Sequence, residues 1–208
     1  MSKRLGRPRS FDERSVLEKA QRVFLINGYD GASFEQIGKA MGLSKPSLYG
    51  AFGDKEALFE RIASDYAAAA AEDVARHLSG RERLWSGAES FLSRAVDVYA
   101  AEEDRPLGCL LLGVALTVSA QRERIGAIVS TFLREVDSIC ERIVENEYAR
   151  DAERLGASPR RLALQLGAAL HTLALRARAG AARDELKSMA EDLSDAFLPE
   201  TERSAARR

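Results

Sequence analysis

Residues 33–52, SFEQIGKAMGLSKPSLYGAF, contain two short helix patterns separated by one glycine. Ser33 is a favourable N-cap for the first helix, and Gln36 three residues later can complete a capping box. Gly42 supplies the positive φ that a tight turn at a helix end requires. Ser44 then caps the second helix. Two short helices joined by a glycine turn predict a helix-turn-helix motif.

The flanking residues extend this motif into a small helical domain. Asp12 is a favourable N-cap for a preceding helix, which the Asn-Gly pair at 27–28 is expected to end. The apolar residues of that helix recur at helical spacing, namely Val16, Leu17, Ala20, Val23, Phe24 and Leu25. Asp54 is expected to cap a later helix that continues to about residue 77. We therefore predict a helix-turn-helix domain over residues 11–55.

The second helix of the motif has the side chains that reading a DNA major groove requires. A recognition helix presents its N-terminal residues to base edges and phosphates. Small, hydrogen-bonding or cationic residues are expected to point outward here, namely Ser44, Lys45, Pro46, Ser47 and Tyr49. Leu48 and Phe52, four residues apart, are expected to face the core. Lys55 begins the following helix, where its charge and the free helix amides favour a phosphate.

The formal charge is unevenly distributed along the chain. Residues 1–55 contain ten Lys and Arg against six Asp and Glu, so they carry +4, while the whole chain carries −1 and the remainder −5. A basic head on an acidic body is typical of a protein in which only the head meets a polyanion. Residues 1–10 predict a basic, flexible arm whose Arg4, Arg7 and Arg9 bind phosphates or the minor groove. A solvated tail without DNA contacts is the alternative.

The segment from Phe11 to Phe59 resembles the TetR family of transcriptional regulators in residue type and spacing, and the family pattern shows in residues 20–59, AQRVFLINGYDGASFEQIGKAMGLSKPSLYGAFGDKEALF. The recurrent elements of the family pattern are Phe24, Gly28, Tyr29, Ser33 to Ile37, Ala40 to Leu43, Ser44, Leu48, Tyr49, Phe52, Lys55, Leu58 and Phe59. The resemblance implies that Lys45, Pro46, Ser47 and Tyr49 contact bases and backbone. It also implies that Ser33, Phe34 and Lys55 approach phosphates. Many members carry His where this chain has Gly50, which removes one phosphate contact.

Beyond residue 80 the hydrophobic periodicity predicts only helices, so we expect an all-α protein of about nine helices. The predicted helices of this part cover 84–101, 107–119, 122–154, 159–179 and 183–197. Together with the helix after Asp54, they are expected to form a C-terminal ligand-binding and dimerisation domain over residues 56–200. Residues 201–208 are expected to be disordered.

The segment from Leu162 to Leu175 has no charged residue and is apolar nearly all round, so it must be covered on more than one side. We predict that the helices at 159–179 and 183–197 form a four-helix dimer interface, which the resemblance also implies. Its expected residues are Leu164, Gly167, Ala168, His171, Leu175, Leu186, Met189, Leu193 and Phe197. The two-fold symmetry of a homodimer matches a palindromic operator in double-stranded DNA.

The remaining helices of the body are expected to enclose a pocket for a small-molecule effector. Candidate lining residues are Trp85, Phe91, Tyr99, Cys109, Leu112, Leu116, Phe132, Val136 and His171. Plain core packing is the alternative for each, because apolar residues at helical spacing are core by default. The resemblance implies a repressor that leaves its operator when the effector shifts the helix beginning at Asp54. A redox role for Cys109 and Cys140 is a further alternative, although no cationic neighbour is evident that would activate either thiol.

Several classes of protein are disfavoured by the residues present. Two histidines, no glycine-rich phosphate loop, no metal-ligand spacing and no nucleophile elbow predict no enzyme, no metal site and no cofactor. The longest uncharged stretches, 107–121 and 162–175, are shorter than the roughly 20 apolar residues of a membrane span. No signal peptide opens the chain, so we expect a cytoplasmic protein. An all-helical protein-interaction module and a transcriptional activator are the alternatives to a repressor.

Overall fold

A computed structural model describes residues 12–78, 84–102, 106–148, 158–195 and 197. Within these ranges the regular structure consists of nine helices and no strand, as the hydrophobic periodicity predicts. The chain divides into two compact units, Met1–Ile62 and Ala63–Arg208, which we call the head and the body. The predicted tail at 201–208 lies outside the described residues.

The head contains three helices and the start of a fourth. They are α1 at Glu13–Gly31, α2 at Phe34–Met41, α3 at Lys45–Phe52 and α4 at Lys55–Leu78. The head extends to Ile62 rather than to residue 55, because Phe59 in α4 is fully buried with the head's aromatic residues. The Phe59 ring lies 4.7 Å from the Phe24 centroid and 5.0 Å from the Tyr29 centroid.

The end of α1 differs from the prediction. Gly28 leaves helical geometry with φ 72° and ψ 176°, as its glycine character allows, but a further helical turn continues to Gly31. Tyr29 lies in that turn and is buried at 3% exposure. The kink at Gly28 therefore directs the last turn of α1 into the head core instead of ending the helix.

The connection between α2 and α3 follows the predicted capping chemistry. The Gln36 amide donates to Ser33 Oγ at 3.1 Å, and the Ser33 amide donates to Gln36 Oε1 at 3.0 Å, which completes the capping box. Gly42 adopts the left-handed conformation with φ 70° and ψ 28°. A Cβ at Gly38 would lie 3.3 Å from Leu48 Cδ2, so the two helices approach closely. This turn therefore holds α2 and α3 in a defined geometry.

The body is built around one central helix. Its elements are α4 beyond Ile62, α5 at Leu84–Tyr99, α6 at Leu111–Ala115 and Leu116–Val118, α7 at Glu123–Tyr148, α8 at Pro159–Arg178 and α9 at Arg183–Asp195. Helix α8 packs against α5, α6, α7 and α9. The first part of α6, Leu111–Ala115, is π-helical. Leu166 and Leu173 of α8 are fully buried, so this helix carries much of the core.

Helix α6 begins later than the sequence predicts. The amides of Leu107 and Gly108 both donate to the Tyr99 carbonyl at 3.0 Å, so this stretch caps the end of α5. Gly108 has φ +70°, and a Cβ on it would lie 2.6 Å from the Ala174 carbonyl oxygen in α8. A right-handed helix starting at residue 107 is incompatible with the positive φ of Gly108.

Candidate nucleic-acid interface

The N-terminal half of α3 forms a polar surface of the head. Its exposed residues are Ser44, Lys45, Pro46 and Ser47, together with Tyr49 at 47% exposure. Leu48 is buried at 1% exposure, and Phe52 is half-buried. The structure therefore places the predicted DNA-reading residues on one exposed surface, which we call the α3 face.

Ser44 organises the start of this helix. Its Oγ accepts a hydrogen bond from the Ser47 amide at 3.4 Å and lies 2.9 Å from the Ser47 hydroxyl. Pro46 occupies the first turn, where the missing amide costs nothing, and the first turn contains no acidic residue. The Lys45 amide and ammonium, together with the helix dipole, therefore make this helix end electropositive, which suits a phosphate oxygen.

Phe34 contacts Tyr49 across the turn. Phe34 is the first residue of α2 and is half-buried, while its neighbour Ser33 is exposed. The two aromatic rings lie 4.7 Å apart between centroids at an interplanar angle of 70°, an edge-to-face arrangement. The resemblance places Phe34 near phosphates, whereas the structure shows its side chain packed on the recognition helix. Sequence spacing alone does not bring these two rings together.

The Lys55 ammonium is bound within the head. Its Nζ donates to the Tyr29 carbonyl at 3.0 Å and to the Ala32 carbonyl at 3.3 Å. The same atom lies 4.5 Å from the centroid of the Tyr29 ring, within cation–π range. Lys55 thus ties the start of α4 to the end of α1. The sequence does not predict this role, because the acceptors are backbone carbonyls and every residue has one.

Two further predictions concern Gly50 and the N-terminal arm. Gly50 is exposed in the middle of α3, and a Cβ built on it would meet no atom within 4 Å. This helix position therefore leaves open space where a side chain would otherwise project. Arg4, Arg7 and Arg9 of the predicted arm lie outside the described residues.

The sequence profile described as "Bacterial regulatory proteins, tetR family" matches residues 16–62, which is the helical part of the head. The head thus matches the TetR family model, and the chain as a whole is similar to TetR-family regulators.

Two curated relatives illustrate the extent of the similarity. The HTH-type transcriptional repressor ComR of Escherichia coli is 28% identical over 201 residues, covering 91% of this chain and 90% of ComR. The HTH-type transcriptional repressor AcnR of Corynebacterium efficiens is 39% identical over 64 residues, 31% of this chain and 34% of AcnR. The similarity to ComR therefore includes the body, while the AcnR match spans only about a third of either chain.

Solved structures agree over both units. A cysteine-substituted form of the TetR-family regulator CifR, in complex with 26-base-pair operator DNA, superimposes with a TM-score of 0.80 at 28% identity. The alignment covers 92% of this chain and 100% of CifR. A TetR-family regulator from Chloroflexus aurantiacus gives a TM-score of 0.71 at 27% identity, covering 87% of this chain and 91% of that chain.

The predicted effector-pocket residues divide into buried and exposed groups. The buried ones are Phe91, Tyr99, Cys109, Leu112, Phe132 and Val136. Leu116 is instead 46% exposed on α6, directly after the π-helical stretch. A π-helical turn contains more residues than an α-helical turn, so Leu116 lies on another side of α6 than α-helical periodicity predicts. The side chain of Trp85 lies outside the described residues, and His171 is half-buried.

Three polar side chains meet at the edge of the body core, where Tyr99 and Cys109 are buried and Tyr66 is half-buried. The Tyr66 hydroxyl hydrogen-bonds with the Cys109 thiol, and Tyr99 lies close to the same sulfur. Burial raises the pKa of both phenols and of the Cys109 thiol. Burial and the nearby Asp137 carboxylate raise the pKa of Cys140 to about 12. Both thiols are therefore protonated and buried near neutral pH, unlike an activated cysteine. The sequence analysis missed Tyr66, which lies in an alanine-rich stretch of α4.

The predicted dimer residues likewise divide into exposed and buried groups. Leu164, Ala168 and Leu175 are exposed on α8, with Leu164 at 54% and Leu175 at 53%. Leu164 and Ala168 line an open surface concavity of about 400 Å³. Gly167, Leu186 and Phe197 are instead buried within the chain, while Met189 and Leu193 are half-buried. Within the chain, α9 packs on α5 and α8, and Gly167 faces Asp137.

His171 lies on α8 between the core and the exposed leucines. Its Nε2 is buried and has no hydrogen-bond partner among the described residues. Burial lowers the pKa of His171, and the negative charge of Asp137 opposes that shift. His171 is therefore largely neutral near pH 7.

Over the described ranges, no group of three or more His, Cys, Asp or Glu is arranged to hold a metal ion. In the same part of the chain, no helix combines the length and apolar character of a membrane span.

Proposed function

We propose that this protein is a sequence-specific DNA-binding transcriptional repressor that acts as a cytoplasmic homodimer. The α3 face carries the proposal, because it presents hydroxyls, an ammonium and a half-exposed phenol at a helix N-terminus. These groups are suited to bind phosphates and base edges, and the turn after Gly42 holds them in one geometry. The similarity to DNA-bound CifR and to curated repressors supports the same function.

Homodimerisation is proposed from one stripe of α8. Leu164, Ala168, His171 and Leu175 follow one another at intervals of four, three and four residues, so they lie on one side of the helix. The two leucines are each more than half exposed, which is costly for side chains of this size unless another surface covers them. We call these four residues the α8 stripe and propose that a second copy of the chain covers it.

Response to a small-molecule effector is proposed for the body. The Tyr66, Tyr99 and Cys109 group supplies hydrogen-bonding atoms within an apolar interior, the mixture that small-molecule sites use. An effector can release DNA only if it binds the released conformation more tightly than the DNA-bound conformation. A preference of about 5 kcal/mol is needed to reverse a 1:99 population.

The first test is selection of binding sites from randomised double-stranded DNA. The native chain should enrich a palindromic site, and its affinity for that site should fall steeply with salt because phosphate contacts release counterions. Lys45→Ala combined with Tyr49→Ala should remove the enrichment. Lys19→Ala, which removes one exposed positive charge from α1, is the matched control and should keep it.

Two results contradict the proposal. Weak binding without enrichment, unchanged by the α3 substitutions, would favour a protein-interaction module. Enrichment followed by increased transcription from a reporter carrying the selected site would show an activator instead of a repressor.

A further inference from the structure

The position of Tyr49 depends on a contact from outside the recognition helix. Tyr49 is 47% exposed, so the core does not surround its ring. Phe34 of α2 lies beside that ring in the edge-to-face arrangement described above, at 4.7 Å and 70°. An interaction of this kind changes the relative population of side-chain rotamers by roughly 2- to 10-fold. It is therefore large enough to favour one orientation of an otherwise weakly restrained ring.

The backbone around Phe34 is well restrained. The capping box of Ser33 and Gln36 fixes the first turn of α2, where Phe34 lies. The close approach of Gly38 to Leu48 fixes the separation of α2 from α3. The Leu43 amide donates to the Gly38 carbonyl at 2.9 Å, which closes the turn between them. Phe34 is thus a side chain on a rigid base, pointing at a neighbouring helix.

The chemistry of Phe34 itself does not suit a phosphate. A phenyl ring has no hydrogen-bond donor, and a phosphate oxygen at this helix end can be bound by backbone amides alone. A substitution of the Phe34 side chain leaves those amides in place. The side chain therefore needs another explanation, and its contact with Tyr49 provides one.

We propose that Phe34 is a positioning residue, whose ring holds Tyr49 in the orientation with which Tyr49 contacts DNA. The proposal rests on the proposed DNA-binding function and adds a residue through which specificity is maintained. Phe34 acts through Tyr49, so its contribution to binding should vanish when Tyr49 is removed.

A double-mutant cycle in the full chain tests this dependence. The DNA is the site selected by the native protein, and the salt concentration is constant. Phe34→Leu should weaken binding by roughly 3- to 10-fold in the native background. The same change in a Tyr49→Ala background should weaken it by less than about 2-fold. Phe34→Tyr keeps the ring and should restore affinity to within about 2-fold of native.

Equal losses from Phe34→Leu in both backgrounds would overturn the proposal, because Phe34 would then contribute independently of Tyr49. Equilibrium unfolding of each variant checks that the fraction folded at the assay temperature is unchanged.

A second measurement needs no DNA. The protein is labelled with ¹³C in its tyrosine rings, and the Tyr49 resonances are those that Tyr49→Phe removes. Phe34→Leu should shift them, because the ring current of Phe34 is lost. Unshifted Tyr49 resonances would overturn the proposal even if DNA binding is confirmed. If Phe34→Leu shifts the Tyr49 resonances but the native protein selects no DNA site, the ring contact is established and the proposed function is contradicted.

Discussion

In the head, the hydroxyls of Ser33 and Ser44 remain at the surface and accept hydrogen bonds from amides three residues away. In the body, the hydroxyl of half-buried Tyr66 and the thiol of buried Cys109 come from distant parts of the sequence and meet beside the core. The exposed leucines also lie in the body, on α6 and α8. The comparison shows a head whose polar groups are organised by local sequence and a body whose polar groups are organised by long-range packing.

The strongest test of long-range packing in the body is Gly108→Ala. The new Cβ would lie 2.6 Å from the Ala174 carbonyl oxygen at a residue with φ +70°. The left-handed backbone and the overpacking together should lower the free energy of unfolding by about 4 kcal/mol. Urea denaturation followed by circular dichroism measures the change.

Gly180→Ala is the matched control for this substitution, because Gly180 has φ +95° and no atom within 4 Å of a Cβ. It should cost only about 1–2 kcal/mol, the backbone contribution. Equal losses at the two positions would show that α8 does not restrict residue 108.

The α8 stripe can be disrupted by Leu164→Arg combined with Leu175→Arg. Covering two unpaired charges with a second subunit is costly, so the dimer dissociation constant should rise by at least roughly 100-fold. Sedimentation velocity of the native and variant chains at several concentrations measures this change. Leu116→Arg introduces the same charge at an equally exposed leucine outside the stripe and should leave the native dimer intact. A native monomer, or a dimer unaffected by the double substitution, would show that α8 is not the interface.

The substitution Lys55→Met tests whether Lys55 stabilises the head or binds a phosphate. Loss of the hydrogen bonds to Tyr29 and Ala32 should lower the free energy of unfolding of the head by about 2 kcal/mol. Lys45→Met, at an exposed lysine, should change stability by less than about 0.5 kcal/mol but reduce the salt dependence of DNA binding. Chemical unfolding and a salt titration of DNA affinity give the two readouts. If Lys55→Met instead leaves the free energy of unfolding unchanged and reduces the salt dependence of DNA binding, Lys55 binds a phosphate and does not stabilise the head.

Gly50→Ala has the smallest expected effect and tests how locally the head is specified. The position is helical and open, so alanine should raise the free energy of unfolding by about 0.5–1 kcal/mol. Urea denaturation detects this gain. A loss of stability would mean that α3 requires glycine for packing that the built Cβ does not reveal. A gain in stability accompanied by weaker DNA binding would instead show that DNA occupies the open space at residue 50.

Most features of the head were predictable from its residues alone. The capping box at Ser33, the turn at Gly42 and the outward residues of α3 were predictable, because each depends on backbone amides or side chains within a few residues. The same reasoning predicted the all-α class, since apolar periodicity reports the kind of element a segment forms. It also predicted that α8 is apolar nearly all round and must be covered on more than one side.

Only the tertiary structure decided which neighbour each side chain meets. Phe34 contacts Tyr49, Lys55 meets the carbonyls at the end of α1, and Gly108 accommodates α8. It also buries Leu186 within the chain and exposes Leu116 on α6. Periodicity identifies the apolar side of a helix but not the element that covers it. That choice depends on the summed packing of distant segments, which no short stretch of sequence contains.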